Sequence, residues 1–319
     1  MTLIHTGSVI VDQVLRIAKM PEPGGDIVAT GAFTVAGGAM NSLLAAVRDG
    51  MDVLYCGLVG TGMNAAVIAR ALEEAGVRVN YERLPADNGF CVALVEDSAE
   101  RTFITSIGVE GDFGIEHLDA IDVRPGDFVY VSGYSLATAK NADGLARWLP
   151  GLPPSVTVFV DPSPLVADLP FDLFAPVLAR CDILSANERE AAVILERFGV
   201  LGAGFDHDDV ARELAAALPE GAWAVVRNGA EATRVSRNDG RGKVTAVPTF
   251  PCEPVDTNGC GDVHAGVLIS ALDRGLDMMS AVERANAAAA LKAGRSGPNT
   301  APTSAEIDIF LRELGRAGR

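Results

Sequence analysis

From Gly37 onward, segments of helical length alternate with short apolar runs. Met40 to Asp49 reads as helix, Val53 to Leu58 as strand, Ala65 to Ala75 as helix and Val77 to Leu84 as strand. This alternation is the rhythm of βαβ units, in which parallel strands carry helices on both faces. It breaks between residues 89 and 107, then resumes with strands at Phe128 to Ser132, Val156 to Val160, Ile183 to Ser185 and Ala224 to Arg227. Two short strands near 232–236 and 243–247 follow, and helices at about 262–273, 279–294 and 304–315 close the chain. The expectation is an α/β fold with a doubly wound, mostly parallel sheet flanked by helices.

The interruption has its own logic. Phe90 to Val95 and Arg101 to Ser106 flank the turn Asp97-Ser98-Ala99-Glu100, which predicts a hairpin. Ile4 to Val11 and Ile27 to Val35, joined by the turn-rich stretch from Met20 to Asp26, read as two more strands. Together they predict a small discontinuous β-sheet, a lid formed by about residues 8–35 and 88–108. No stretch is long enough to be an interdomain linker, so residues 1–319 are expected to form a single α/β domain that includes the lid.

Charge narrows the partners. With 42 acidic against 26 basic residues, the net charge of −16 disfavours nucleic acid and anionic membranes, both of which attract basic patches. No run approaches the roughly 18 apolar residues of a spanning helix, and Met1 to Gly7 lacks a charged leader followed by an apolar run. A cytoplasmic protein is expected. Cys56, Cys91, Cys181, Cys252 and Cys260 are scattered, which fits reduced thiols better than a disulfide frame or zinc site. His5, His117, His207 and His264 show no metal-ligand spacing, and no structural metal is expected.

The densest chemistry lies in Asp256-Thr257-Asn258-Gly259-Cys260-Gly261-Asp262, a glycine-rich turn opening a long apolar helix. The first amides of a helix are unpaired and favour anions. An aspartate there would repel a resting phosphate but suits a general base taking a proton from an attacking hydroxyl. The same turn also opens ordinary helices in α/β domains. Gly37-Gly38-Ala39-Met40-Asn41 allows close backbone approach beside an amide with donor and acceptor, which suits a polyol or a plain strand-to-helix turn. Asn187 and Glu190 stand one turn apart at a helix start, where they serve equally as a capping box. Arg227 is either a phosphate contact or the solvent-facing end of a strand.

These motifs, in this order, resemble the ribokinase-like (PfkB-type) carbohydrate kinases over nearly the whole chain. Gly89-Phe90-Cys91-Val92 and Glu100-Arg101-Thr102-Phe103 look most like uncharacterised bacterial sugar kinases of that family. The resemblance implies ATP-dependent phosphoryl transfer to a hydroxyl of a sugar or sugar-like substrate. Asp262 is then the base, and the amides of Gly259, Cys260 and Gly261 stabilise charge on the transferring group. Asp12, Gly37, Gly38 and Asn41 would hold the acceptor, with Arg101 meeting a substrate anion or pinning the hairpin. Asn187, Glu190, Arg227, Gly229, Thr257, Gly259, Gly261 and Asn286 would line the nucleotide side, Asn286 as its adenine wall. Glu190 would hold Mg2+ through water. In some members the loop around Gly294 to Gly297 also holds K+ or another monovalent cation.

Some residues depart from the family pattern. Thr61-Gly62 replaces the usual x-Asp after Gly60, so a polar contact near the substrate is lost or replaced. The loop Arg227-Asn228-Gly229 lacks a second glycine where Thr233 stands, and Cys260 takes the place of an alanine. A thiol at a helix N-terminus has a lowered pKa and is oxidisable, whereas a plain alanine substitute is inert. His264, two residues past Asp262, faces elsewhere and reads as packing. Lids of this kind pair edge to edge, so a homodimer through the lid is expected. The alternatives are a nucleoside kinase, which should show an aromatic clamp where only Tyr134 offers itself, and a non-enzymatic sugar-binding regulator, which has no need of Asp262.

Overall fold

The computed structural model describes residues 1–98, 100–200 and 204–317; Ala99 of the expected hairpin turn lies outside them. Thirteen strands form two sheets. They are β1 Thr2–His5, β2 Val9–Ile17, β3 Gly31–Gly38, β4 Asp52–Tyr55, β5 Arg78–Val79, β6 Phe90–Glu96, β7 Arg101–Ser106, β8 Phe128–Ser132, β9 Thr157–Asp161, β10 Ile183–Asn187, β11 Trp223–Asn228, β12 Glu231–Arg237 and β13 Val244–Val247.

The main sheet has nine strands in the order β13-β12-β11-β10-β9-β8-β1-β4-β5. Pairings from β5 through β11 are parallel, and the last two pairings, β11 with β12 and β12 with β13, are antiparallel, so that β12 alone runs against the rest. Successive side chains enter opposite layers: Phe128 and Tyr130 of β8 join one core cluster, Val129 and Val131 the other. That alternation with both faces apolar requires helices on each side. Helices Met40–Arg48, Cys260–Asp273 and Met278–Ala293 cover the first face, and Ala139–Trp148, Glu188–Arg197 and His207–Ala216 the second.

The chain first adds strands on one side of β1 and then, from β8, on the other. Strand order therefore reverses between β1 and β8, where the carboxyl ends of neighbouring strands diverge and leave a crevice.

The small sheet has the order β3-β2-β6-β7, with β2 and β6 parallel and both outer pairs antiparallel. Its strands come from the two chain segments expected for the lid. Some boundaries differ from expectation. Ile4 to Val11 is not one strand: the chain leaves the main sheet after His5, Thr6 donates to the Tyr130 carbonyl, and Val11 then donates to Gly89 of the small sheet. Apolar periodicity cannot register a strand that changes sheets. The expected strand at Ile27 to Val35 begins only at Gly31 and continues through Gly38. Val77 to Leu84 shrinks to Arg78–Val79, because the chain turns at the edge of the sheet with no further strand to pair.

Candidate active site

Strands β9, β10 and β11 place Asp161, Asn187 and Arg227 at their carboxyl ends, facing the start of helix Cys260–Asp273. Gly259 caps that helix with φ +75°, a left-handed conformation that glycine adopts without strain, and a Cβ there would lie 3.1 Å from the Asn41 side chain. The turn thus sets the signature against Asn41. Among the described residues, the N–H groups of Gly259 and Gly261 have no acceptor, but that of Cys260 donates to the Thr257 carbonyl at 3.2 Å. This corrects the expected anion hole, because one of its three amides is engaged in forming the turn.

Asp262 lies in the first turn of the helix. Burial pushes its pKa up to about 7, with Asp161 and Glu190 adding repulsion and Arg227 opposing it. A carboxyl with that pKa both holds and releases a proton near neutrality. Asp161 is a residue that motif reading missed. It ends β9 and its pKa is raised by burial, with Arg227 pulling it down. The only signal available in the sequence was its position at the carboxyl end of an apolar run.

Arg227 does not end in solvent. Its Nη2 lies 3.6 Å from Asp161 and 3.9 Å from Glu190, and its buried Nε has no partner among the described residues. A Cβ on Gly261 would fall 2.2 Å from Nη1, so the bare glycine lets the guanidinium rest against the helix end. A cation at the positive end of a helix dipole is unfavourable by itself. An anion shared by both would remove the conflict.

Asn187 and Glu190 form the capping box: Glu190 N–H donates to Asn187 Oδ1, and Asn187 N–H to Glu190 Oε2, each at 2.8 Å. The capping reading is realised, and the cap holds the Glu190 carboxylate beside Arg227. Gly229 turns the chain between β11 and β12 with φ +56°, and Thr257 is exposed on the signature loop.

On the other side of Asp262, Asp12 of β2 lies over Gly37, whose missing side chain is necessary because a Cβ would stand 2.0 Å from the carboxylate. Burial raises the Asp12 pKa to about 6. Gly38 has φ +60°, and a Cβ there would meet the Ser8 carbonyl at 2.6 Å. Asn41 accepts from Asn299 N–H at 3.3 Å, and the Asn299 amide donates to the Ala36 carbonyl at 2.8 Å. Asn299, at φ +57°, was invisible in the sequence because a distant loop brings it there.

Other residues meet partners that the sequence did not foresee. Arg101 pairs with Asp256 of the signature at 2.8 Å, tying the small sheet to the signature loop. Asn286 is buried with its amide engaged, accepting from Thr233 Oγ1 at 2.8 Å and donating to the Pro248 carbonyl at 3.0 Å. It braces the strands from helix Met278–Ala293. Burial pushes the Cys260 thiol up to about 11, the reverse of an activated thiolate. His264 is buried as packing, and burial lowers its pKa to about 3.

A side chain at 62 would run into Asp87, whose carboxylate accepts from Asn64 and Ala65 N–H at 3.2 and 2.8 Å. An acid from the neighbouring segment thus caps helix Met63–Glu74.

Sequence comparison decides the family: residues 2–305 match the pfkB family carbohydrate kinase. The chain belongs to that family. An uncharacterized sugar kinase of Escherichia coli, YegV, is 32% identical over 96% of this chain and 92% of its own length. An ATP-dependent ribose-1-phosphate kinase of Halopiger xanaduensis is 30% identical over 98% of each chain. Among solved structures, Thermotoga maritima ribokinase aligns with a TM-score of 0.80 at 19% identity, over 98% of this chain and 99% of its own. Burkholderia thailandensis nucleoside kinase in complex with inosine aligns with a TM-score of 0.78 at 19% identity, over 99% of each chain. This pfkB-family member is an ATP-dependent carbohydrate kinase with the ribokinase fold.

Proposed function

We propose that this kinase phosphorylates a small neutral polyol or sugar held between Asp12, Gly38 and Asn41, with Asp262 as base. One observation carries the reading: the Asp262 carboxyl stands in the first turn of a helix whose end has a guanidinium pressed onto it. The transferring phosphoryl group belongs between them, its charge met by the Gly259 and Gly261 amides and by Arg227. Asp262 then takes the proton of the attacking hydroxyl as the oxygen–phosphorus bond forms.

The carboxylates here suit Mg2+. Among the described residues no group of three or more His, Cys, Asp or Glu could hold a metal alone, but Mg2+ needs only one or two carboxylates beside phosphates and water. Glu190 would hold it, through water, with Asp161 close by, and Mg2+ would supply positive charge to neutralise the phosphates. Gly229 and Thr257 face the nucleotide side, and Asn187 acts by fixing Glu190.

The small sheet works with the main body as one domain and closes over the acceptor, excluding water that would otherwise accept the phosphoryl group. The lid carries exposed Phe33 and Phe103 on one face, in line across the sheet through Val14 and Ala93, a surface suited to a second copy of the chain, and we place the homodimer interface there. No described helix is long and apolar enough to cross a membrane. Free cysteines and the acidic charge favour a cytoplasmic setting without nucleic-acid or membrane partners.

The test is ADP release with Mg-ATP across pentoses, hexoses, sugar phosphates, inositols and nucleosides, beside Asp262→Asn. Turnover with a neutral sugar, absent in the variant, supports the reading. Turnover only with nucleosides would move the acceptor to that class, and binding without ADP would make the protein a sugar-binding regulator.

A further inference from the structure

Glu110 is a buried acid that the phosphoryl transfer described above does not use. It lies in the short turn Val109–Asp112, just past the lid hairpin, and is 3% exposed. Burying a carboxylate is costly unless donors replace the water it loses. Three N–H donors do so here, and no cation pairs with it among the described residues. Glu110 Oε2 accepts from Gly89 N–H at 2.8 Å and from Asn88 Nδ2 at 3.3 Å, and Oε1 accepts from Gly108 N–H at 2.8 Å.

Gly89 and Gly108 are the two roots of the hairpin, one directly before β6 and the other two residues after β7. They lie against each other. A Cβ on Gly89 would run into the Ser106 carbonyl and Glu110 Oε1, and one on Gly108 into Gly89 N and the Asp87 carbonyl. Each carboxylate oxygen therefore holds one root. The acid is in turn fixed to the main body: its own carbonyl accepts from Asn141 Nδ2 at 2.9 Å, on helix Ala139–Trp148. Asn88 reaches the segment after β4, accepting from Gly60 N–H at 2.8 Å and donating to the Leu58 carbonyl at 3.0 Å.

From the root the connection runs to the acceptor side. The Gly89 carbonyl accepts from Val11 N–H at 3.2 Å, and Asp12, the next residue, pairs in register with Cys91 of β6. A root that shifts therefore carries β6, and with it the strand that presents Asp12. Glu190 and Arg227 stand instead at the ends of β10 and β11 in the main sheet.

We infer that Glu110 is the clasp on which the lid pivots, a positioning residue that holds both hairpin roots against the main body and so fixes Asp12 for the acceptor. It touches no substrate. With the roots held, the hairpin moves only at its far end, where Arg101 meets Asp256.

The inference rests on the reading of the small sheet as a lid over the acceptor, so one arm of the test does without turnover. Glu110→Gln keeps the size of the side chain but turns an amide NH2 toward a root N–H that needs an acceptor, which releases one root. Hydrogen exchange of the full chain, followed by mass spectrometry, should show β6, β7 and the peptide containing Val11 exchanging about 10-fold or more faster than in the parent, with β9 to β11 unchanged. Acceleration spread equally over both sheets would show that Glu110 merely stabilises the fold, and would overturn the inference. No acceleration would do the same.

The second arm uses Mg-ATP and the neutral sugar selected by the acceptor panel. Glu110→Gln should raise KM for the sugar about 10-fold or more and leave KM for Mg-ATP unchanged. An equal rise in both constants, or an unchanged KM for the sugar, would overturn the link from the clasp to Asp12. If Glu110→Gln fails to fold, the parent decides: by NMR, the amides of Gly89 and Gly108 should exchange as slowly as those of β9 and more slowly than those of the exposed strand β7. Root amides that exchange as fast as β7 would overturn the inference. Absence of turnover with every acceptor counts against the kinase reading only, since exchange still reports whether Glu110 holds the hairpin.

Discussion

Asp262 shows how one residue trades stability for chemistry. Its folded pKa of about 7 stands above the ordinary 3.8, chiefly through burial. Between those values the folded state binds more protons than the unfolded chain, so this group's contribution to stability is full below the ordinary value and is lost as pH rises through about 7. Activity runs the other way, because the base must be ionised. The rate of transfer should therefore climb as pH rises through about 7, measured as kcat against pH with saturating substrates. Asp262→Asn should lower kcat by about 10²–10⁴-fold. The same variant should melt higher than the parent above neutral pH, since relief of about 1 kcal/mol of repulsion raises Tm by roughly 2–4 °C in a chain of this class. A variant that melts lower than the parent at that pH would show that burial and neighbouring charge are not what raises this carboxyl.

At the scale of an element, the start of helix Glu188–Arg197 joins a structural cap to the nucleotide side. Asn187→Ala removes the side-chain half of the capping box and should lower stability by about 1 kcal/mol. The bond from Asn187 N–H to the Glu190 carboxylate survives, but the turn that carries Glu190 loses the tie to its own N–H and loosens, so KM for Mg-ATP should rise. Asn187→Ser keeps a cap and should restore the melting temperature, with KM following if positioning of Glu190 is the function. Thermal melts and ATP saturation curves on the two variants separate these effects. Sequence alone could state both uses of the pair but not combine them. The combination needs β11 beside β10, which brings Arg227 to Glu190.

For the whole molecule, the link between sheets is Arg101 to Asp256, spanning 155 residues of sequence. Arg101→Ala removes that tie and should raise KM for the acceptor. It should also increase ADP release without sugar relative to transfer, because a looser lid admits water. If acceptor KM and sugar-independent hydrolysis are unchanged, closure does not depend on this pair. The exposed apolar lid face makes a separate prediction about assembly. The chain should sediment as a dimer, and Phe103→Asp should return it to the 33.2 kDa monomer. Sedimentation of both forms as monomers would remove the lid interface.

The sequence by itself determined the α/β class, the small second sheet and the motifs near the reaction. Local periodicity and glycine placement are properties of adjacent residues, and they survive in a linear reading. Asn41 and Asp262 could be singled out for that reason, each beside a glycine-rich turn, whereas Asp12 was singled out only by the resemblance to the family. Tertiary structure alone decided what each charged group meets. Asp161 comes to Arg227 and Asn299 to Asn41 from separate strands and loops, Asp87 caps a helix from a neighbouring segment, Arg101 is drawn onto Asp256, and Lys292 ends buried against the Asp256 carbonyl. Charge pairing and desolvation depend on distance in space and on exclusion of water. Those quantities exist only once the sheets have assembled and excluded water from these groups.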